Sequence, residues 1–416
     1  MKHLVVPDAG QLRVTGDPFE PYRLLDPDGR VVDAVSVFLA DLQAGGSPAT
    51  TLRSYGMDLL RWWRFLSALG VRWDLATREE ARDFARWMRL ADKPVRVHWR
   101  RRGQIGTPAA ESTKPAPGTP NAVTGKPSPG RKYAVSTQAH SETVLRSFYD
   151  FHLELGTGSL LINPFPLDRS RRATRANAHH GPLEDFKAER VGRYRPKVPK
   201  RVPRRIPDQD FDEIFAGLRS HRDRALLVFW VSTGARAEEL LGALQHDASP
   251  GQQLIKVIRK GTRDIQELPA SSDAFVWLRL YQEETWRRGA PRGRNEPLWW
   301  TLRRPWRPLN YHAARKMFMR ANELLGANWT LHDLRHTAAY RLARDPEMPL
   351  THVQWILAHK YLTTTQLYLN PSQDEVISSV LAHHARQERR REDPVPAPPA
   401  PGYNPASLSN LFGERL

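Results

Sequence analysis

Two stretches of this 416-residue chain cannot build a core, and they decide how the rest can fold. Residues 102–130, RGQIGTPAAESTKPAPGTPNAVTGKPSPG, hold six prolines among repeated Gly, Ser and Thr. Backbone donors are missing there and little apolar surface is available to bury. Residues 169–205 include RSRRATRAN and RVGRYRPKVPKRVPRR, where like charges crowd and apolar residues are sparse. The first stretch reads as a flexible surface insertion and the second as an extended cationic connector. Helical periodicity resumes on either side, so the chain reads as two blocks, mainly α, and not as one core.

In the first block, residues 1–33 show no sustained period and read as turns or short strands. From Ala34 the sequence turns helical with AVSVFLADLQAG. Ser47-Pro48 then reads as an N-cap and first-turn pair opening a helix with Leu52, Tyr55, Leu59, Trp62 and Leu66 on one face. Thr77 with Glu80 forms a capping box ahead of Ala81, Phe84, Trp87 and Met88. A last helix from about Ser136 places Val144, Phe148, Phe151 and Leu155 inward and stops at Asn163-Pro164. The expectation is a helical bundle over 34–165, carrying the 102–130 insertion, with a basic linker over 166–205.

The second block, 206–390, opens with Phe211, Ile214, Phe215 and Leu218 at helical spacing. ALLVFWVSTG reads as a buried helix ending at Gly234. IKVIRKGTRDIQELPA alternates on either side of Lys260-Gly261, the pattern of two short strands joined by a tight turn. Helical segments follow in SSDAFVWLRLYQEETW, NYHAARKMFMRANELL, HDLRHTAAYRLA, THVQWILAH and DEVISSVLAHHARQERR. Residues 391–416 form a Pro-rich tail with a short apolar patch from Leu408 to Phe412.

A formal net charge of +18 makes a polyanion the first partner to consider. No run of about 18 apolar residues is present, and MKHLVVPDAGQLRV lacks an apolar signal-peptide core, so the expectation is a cytoplasmic, nucleoid-associated chain without a membrane. With no cysteine, disulfides, thiolate zinc sites and cysteine nucleophiles are excluded. A charge run by itself is more often a solvated face. Between two blocks of a basic chain, tracking along a phosphate backbone is at least as good a reading, with Arg171, Arg172, Arg193, Arg195, Lys197, Lys200, Arg201, Arg204 and Arg205 as candidate contacts.

The chemistry-bearing residues come in order: Arg236 with Glu239, Lys260, His332 with Arg335, His359, and Tyr368. A phenol with a pKa of about 10 is a poor nucleophile at neutral pH. Guanidiniums and imidazole donors can hold the charge that develops on a phosphodiester under attack, and a lysine can protonate the departing 5′ oxygen. Each signal alone is weak. The 15 His and 63 Lys plus Arg give roughly two chance matches to His-x-x-[Lys/Arg]. Singly, His332 reads as a cap or core histidine, Arg236 as a surface arginine, Glu239 as its i, i+3 partner, Lys260 as a turn residue, His359 as a helix cap and Tyr368 as a half-buried aromatic. The ordered set outweighs these readings.

That set resembles the tyrosine recombinase, or phage integrase, family. STGARAEELLGAL is similar to its first arginine box, with Arg236 and its acidic companion Glu239, and RKGTRDIQELP to its hairpin, with Lys260 at the lysine position. LHDLRHTAAYRL resembles the His-x-x-Arg box through His332 and Arg335. LAHKYLTTTQLYLNP resembles the final box, with His359 and, nine positions on, Tyr368. Ala235, Arg259 and Ala358 stand where the family more often has Leu or Met, Gly, and Gly; none of these departures removes a catalytic group. The resemblance covers about 206–385, and 34–165 more loosely.

The resemblance implies a helical, SAM-like core-binding domain joined to a catalytic domain of the DNA breaking-rejoining fold, mainly α with a small β-hairpin or sheet. It implies that Tyr368 attacks a DNA phosphate, leaving a 3′-phosphotyrosyl enzyme and a free 5′ hydroxyl, with Arg236, Lys260, His332, Arg335 and His359 catalytic and no cofactor or metal. The partners it implies are double-stranded DNA with a specific crossover site, a tetramer of the chain on that DNA, and accessory recombination proteins. The terminal helix, with Val376, Ile377, Val380 and Leu381 on one stripe, could dock on its own domain or on a neighbour. A type IB topoisomerase uses nearly the same residues, and a silent DNA-binding protein shares the charge. The spacing from His359 to Tyr368 and the helical first block favour a recombinase, and the length favours an integrase or transposase of a mobile element.

Overall fold

The computed structural model describes residues 4–94, 116–168, 191–198, 203–370, 373–392, 402 and 404–412. It divides into two compact units, Met1–Arg201 and Val202–Leu416.

The first unit opens with an antiparallel pair, β1 (Gln11–Val14) and β2 (Tyr22–Leu25), in register Gln11 to Leu25. Short strands were one of the two expectations here. The pair lies on the helices and contributes Leu24 to their core. It comes close because position 56 is glycine: a Cβ there would fall 2.6 Å from the Leu12 side chain. Four α-helices follow among the described residues, α1 (Asp33–Ala44), α2 (Ala49–Leu69), α3 (Arg78–Leu90) and α4 (Val135–Leu155). Pro48, not Ser47, is the cap of α2, which starts one residue later than the sequence suggested. The Thr77–Glu80 capping box of α3 is present. Leu52, Leu59, Trp62 and Leu66 are buried as their spacing predicts. Leu155, expected inside, is 53% exposed, because it is the last residue of α4 and overhangs the core before Gly156 turns the chain. At the centre Trp62 packs edge-on against Phe84, Tyr149 and Phe165, and its Nε1–H donates to the Tyr149 hydroxyl at 2.9 Å.

Two readings of unpacked segments need correction. Within the 102–130 insertion, residues 116–130 fold back on themselves: Gly125 N–H donates to Asn121 O, and Ser128 N–H to Thr119 O, each at 2.8 Å. Residues 102–115 lie outside the described residues. The connector is not extended throughout. Asp168 N–H donates to Val191 O and Arg193 N–H to Pro166 O, each at 2.9 Å, so residues 191–195 are stitched to the end of the bundle. The backbone can approach there because Gly192 sits against the Glu142 carboxylate, where no Cβ would fit.

The second unit is built on α6 (His221–Thr233), whose residues Leu226, Leu227, Phe229 and Trp230 are all buried. Around it lie α5 (Asp208–Gly217), α7 (Ala237–Leu241), α8 (Ser272–Arg287), α9 (Tyr311–Glu323), α10 (Leu331–Arg344), α11 (Leu350–Leu357) and α12 (Leu362–Gln366). A three-stranded antiparallel sheet runs β3 (Ala248–Ser249), β4 (Leu254–Ile258), β5 (Ile265–Pro269), in that spatial order. The β4–β5 turn is longer than the expected tight one. It spans 259–264, with Gly261 and Arg263 at positive φ, and closes through Arg259 N–H to Asp264 O at 2.8 Å. Two more helices are α13 (Gln373–Glu392) and α14 (Pro405–Phe412). No helix of the described residues is long and apolar enough to cross a membrane.

Candidate active site

Glu239 organises the site. Its carboxylate is buried on α7 and accepts from the backbone N–H of Arg236 (3.0 Å) and of Lys260 (2.9 Å), from an Arg236 terminal N–H (2.8 Å) and from an Arg259 terminal N–H (2.9 Å). Burial alone would raise its pKa, but these donors and the Arg259 charge outweigh that and hold it at about 2. One carboxylate thus fixes Arg236, at the cap of α7, relative to the hairpin that carries Lys260.

Arg335 projects from α10 and is 3% exposed. Its two terminal nitrogens donate to Gly234 O (2.7 Å), where α6 ends in a left-handed glycine, and to Leu357 O at the end of α11. Burial, with repulsion from Arg236, lowers its pKa to about 10, so it remains a cation at neutral pH. Arg236, Lys260, His332 and Arg335 line one pocket of about 290 Å³, together with Ala237, Glu238, Tyr311 and Leu331. The pocket has room for a phosphodiester, and the Lys260 Nζ is 2.8 Å from Glu238, which also lines it. His332, the second residue of α10, is exposed.

His359 and Tyr368 do not line that pocket. His359 is placed by the end of α11, where its N–H donates to Gln354 O (3.1 Å) and the N–H of left-handed Ala358 to Trp355 O (3.0 Å), a Schellman arrangement. Its Nδ1 is 3.0 Å from the Thr365 hydroxyl; when that hydroxyl donates, the ring proton sits on Nε2. Burial, then the charges of Arg335 and Arg236, lower its pKa to about 4, so the ring is neutral at pH 7. Tyr368 is 6% exposed among Ala339, Ala343, Val353 and Leu357, with its ring stacked 6.2 Å from that of His359. Its hydroxyl lies 2.8 Å from His336 Nδ1. Burial raises the phenol's pKa, and Arg335 opposes that rise.

Sequence reasoning assigned no role to two residues. Arg259 was noted only as a departure, yet strand alternation puts position 259 in line with buried Ile255 and Val257. His336 stands four residues beyond His332 on one helix face, and their rings lie 4.3 Å apart.

Of the candidate backbone contacts, Arg193 and Lys197 are exposed, whereas Arg195 donates to the Thr143 hydroxyl at 2.8 Å within its own unit. Arg205 stacks over Tyr340 at 4.2 Å, and Arg204 adjoins it in the chain. Arg171, Arg172, Lys200 and Arg201 lie outside the described residues. Among the described residues no cluster of three or more His, Asp or Glu is arranged to hold a metal ion.

Residues 204–375 match the phage integrase family. The chain is 28% identical over 208 residues to the tyrosine recombinase XerD of Yersinia pestis, covering 46% of this chain and 65% of that one. It is 27% identical over 205 residues to the tyrosine recombinase XerC of Bacillus pumilus (strain SAFR-032), covering 47% and 66%. The match therefore spans about two thirds of the length of these relatives. Crystal structures of the XerH site-specific recombinase on a palindromic difH substrate and of a lambda integrase dimer on a COC′ core site share the fold, with TM-scores of 0.53 and 0.51. They cover 83% and 81% of this chain and 84% and 76% of theirs, at 14% and 16% identity. Residues 204–375 thus carry a phage integrase family domain, and through it the chain is similar to tyrosine recombinases.

Proposed function

We propose that the chain is a site-specific DNA recombinase that cuts and rejoins duplex DNA through Tyr368. The observation that carries this reading is the pocket in which two guanidiniums, an ammonium and an imidazole converge, with the phenol docked beside the same Arg335. In the reaction the Tyr368 oxygen forms a bond to phosphorus, its proton passing to water or a neighbouring imidazole, and the P–O5′ bond breaks. Arg236 and Arg335 hold the non-bridging oxygens in fixed forks, and His332 and His359 add N–H donors. Lys260 protonates the departing 5′ oxygen, exchanging its contact with Glu238 for one with DNA. Attack by a 5′ hydroxyl from a partner strand reverses the step and joins DNA without an energy cofactor.

A buried phenol cannot reach a phosphodiester, so DNA binding must draw the Tyr368 segment out of its bed on α10 and α11. Self-association into a tetramer on a specific crossover site completes a strand exchange, with accessory proteins setting its direction. The exposed stripe of Val376, Ile377, Val380 and Leu381 on α13, 44–62% accessible, supports docking on a neighbouring copy. Arg193, Lys197, Arg204 and Arg205, with Arg171, Arg172, Lys200 and Arg201, would follow the phosphate backbone, and the long chain fits a mobile-element integrase or transposase.

A nicked suicide duplex carrying the chain's own crossover sequence, taken from the DNA flanking its gene, tests this. A covalent adduct lost in Tyr368→Phe and joined to a second duplex is the expected result. An adduct that joins no second duplex, with relaxation of a supercoiled plasmid in a parallel assay, points to a topoisomerase, and no adduct on a true site points to a silent binder.

A further inference from the structure

The last four carbonyls of α11 are all occupied, two of them by guanidiniums. Backbone N–H groups of His359 and Ala358 take those of Gln354 and Trp355, while Arg259 takes that of Ile356 and Arg335 that of Leu357. Carbonyls at a helix C-terminus carry partial negative charge and no partner of their own, so a cation there is held by charge and by geometry. Arg335 reaches them from α10. Arg259 reaches them from the hairpin, and it is anchored on every side: its Nε donates to Gln266 Oε1 (2.6 Å), and a terminal nitrogen meets the buried Glu239 at 2.9 Å. The Gln266 amide in turn donates to Trp355 O at 3.0 Å. The next residue along is Lys260, whose own N–H rests on Glu239.

We propose that Arg259 is a positioning residue for leaving-group protonation: by fastening the 259–264 turn to the end of α11 and to Glu239, it sets where the Lys260 ammonium stands at the phosphate pocket. The Lys260 side chain is more than half exposed, and its ammonium meets Glu238 at the surface. Its placement therefore depends on the backbone beneath it, which Arg259 holds. This inference rests on the recombinase reading above. A buried ion pair that merely maintains the fold would share the contacts but would have no preference among the parts of the reaction.

The test is single-turnover cleavage by the full chain of the suicide duplex described above, with either oxygen or sulfur bridging phosphorus to the 5′ carbon at the scissile position. A thiolate departs without a proton, so the sulfur substrate bypasses Lys260. Arg259→Lys keeps a cation facing Glu239 but cannot also span Gln266 and the Ile356 carbonyl. It is expected to slow the oxygen substrate by about 10–100-fold and the sulfur substrate by less than about threefold, and to add no further loss in a Lys260→Ala background. Affinity for uncleaved DNA stays as in wild type. Equal slowing on both substrates, or no slowing, overturns the inference while wild-type cleavage leaves the recombinase reading standing. Wild type that forms no Tyr368 adduct overturns that reading and the inference with it. Arg259→Gln is a second variant, with its melting curve recorded; if it does not fold, the lysine variant decides.

Discussion

The Tyr368 hydroxyl lies 2.8 Å from Nδ1 of His336, a residue on the same turn of α10 as Arg335. Burial, followed by the neighbouring His332, lowers the His336 pKa to about 4, so at neutral pH the ring offers a lone pair and the phenol donates to it. The phenol thus rests in a satisfied, mostly apolar bed. His336→Phe removes the acceptor and leaves the buried hydroxyl unpaired, at a cost of about 1–3 kcal/mol, whereas pairing it with Tyr368→Phe removes both polar partners and restores most of that loss. A double-mutant cycle of urea melts measures this. Strict additivity of the two substitutions would show that the contact contributes nothing to docking.

Acid sensitivity follows from the same imidazoles. His336 and His359 fall from 6.5 to about 4 in the folded protein, so the unfolded chain binds more protons between those values. Their contribution to stability is complete above pH 6.5 and is lost as pH drops toward 4. Glu239, lowered from 4.5 to about 2, acts in a lower window, from 4.5 downward. His140 in the first unit moves the other way, its pKa raised by its hydrogen bond to Asp58, so the informative quantity is the difference between wild type and variant. Between pH 7.5 and 5 the melting temperature of wild type should fall more steeply than that of His336→Gln. Parallel slopes would show that His336 is not a source of the acid sensitivity.

How far the sequence foretold this site depends on the range of the interactions involved. The α2 face and the Thr77–Glu80 box were readable because their spacing is local. The order of Arg236, Lys260, His332, Arg335, His359 and Tyr368 was readable as a pattern, but not the division that places four of them around one pocket and stacks the other two against each other. That division follows from α11 ending where Arg259 and Arg335 can reach its carbonyls, a pairing between segments about 100 and 20 residues apart that no periodicity encodes. The pairing of 191–195 with 166–168 was hidden for the same reason: it is made by backbone groups on either side of a long charged stretch.

The Glu239–Arg259 pair predicts an asymmetry between variants. Both side chains are almost fully buried, so removing the carboxylate strands a guanidinium in low dielectric. Glu239→Leu should destabilise the second unit by about 3–5 kcal/mol. Glu239→Gln, which keeps an acceptor for the Arg236 and Lys260 N–H groups, should cost clearly less. The melting transition of that unit, followed by tryptophan fluorescence, distinguishes the two; equal losses would mean that the charge, absent from both variants, is what matters and that the retained acceptor adds nothing.

Ala358 offers a stabilising change. It holds φ 46° and ψ 51° at the end of α11, a left-handed conformation in which a Cβ crowds the following carbonyl at a cost of roughly 1–2 kcal/mol. Glycine removes that strain but frees the unfolded chain, which offsets about 0.4–1 kcal/mol of the gain. The net effect of Ala358→Gly is a stabilisation of about 0–1.6 kcal/mol, each kcal/mol raising the melting temperature of a unit of this size by about 2–4 °C. The Schellman bonds from Ala358 and His359 to Trp355 and Gln354 are backbone bonds and survive the substitution. A lower melting temperature would mean that the methyl group contributes more by contact than it costs by strain, and that the turn placing His359 is already at its optimum.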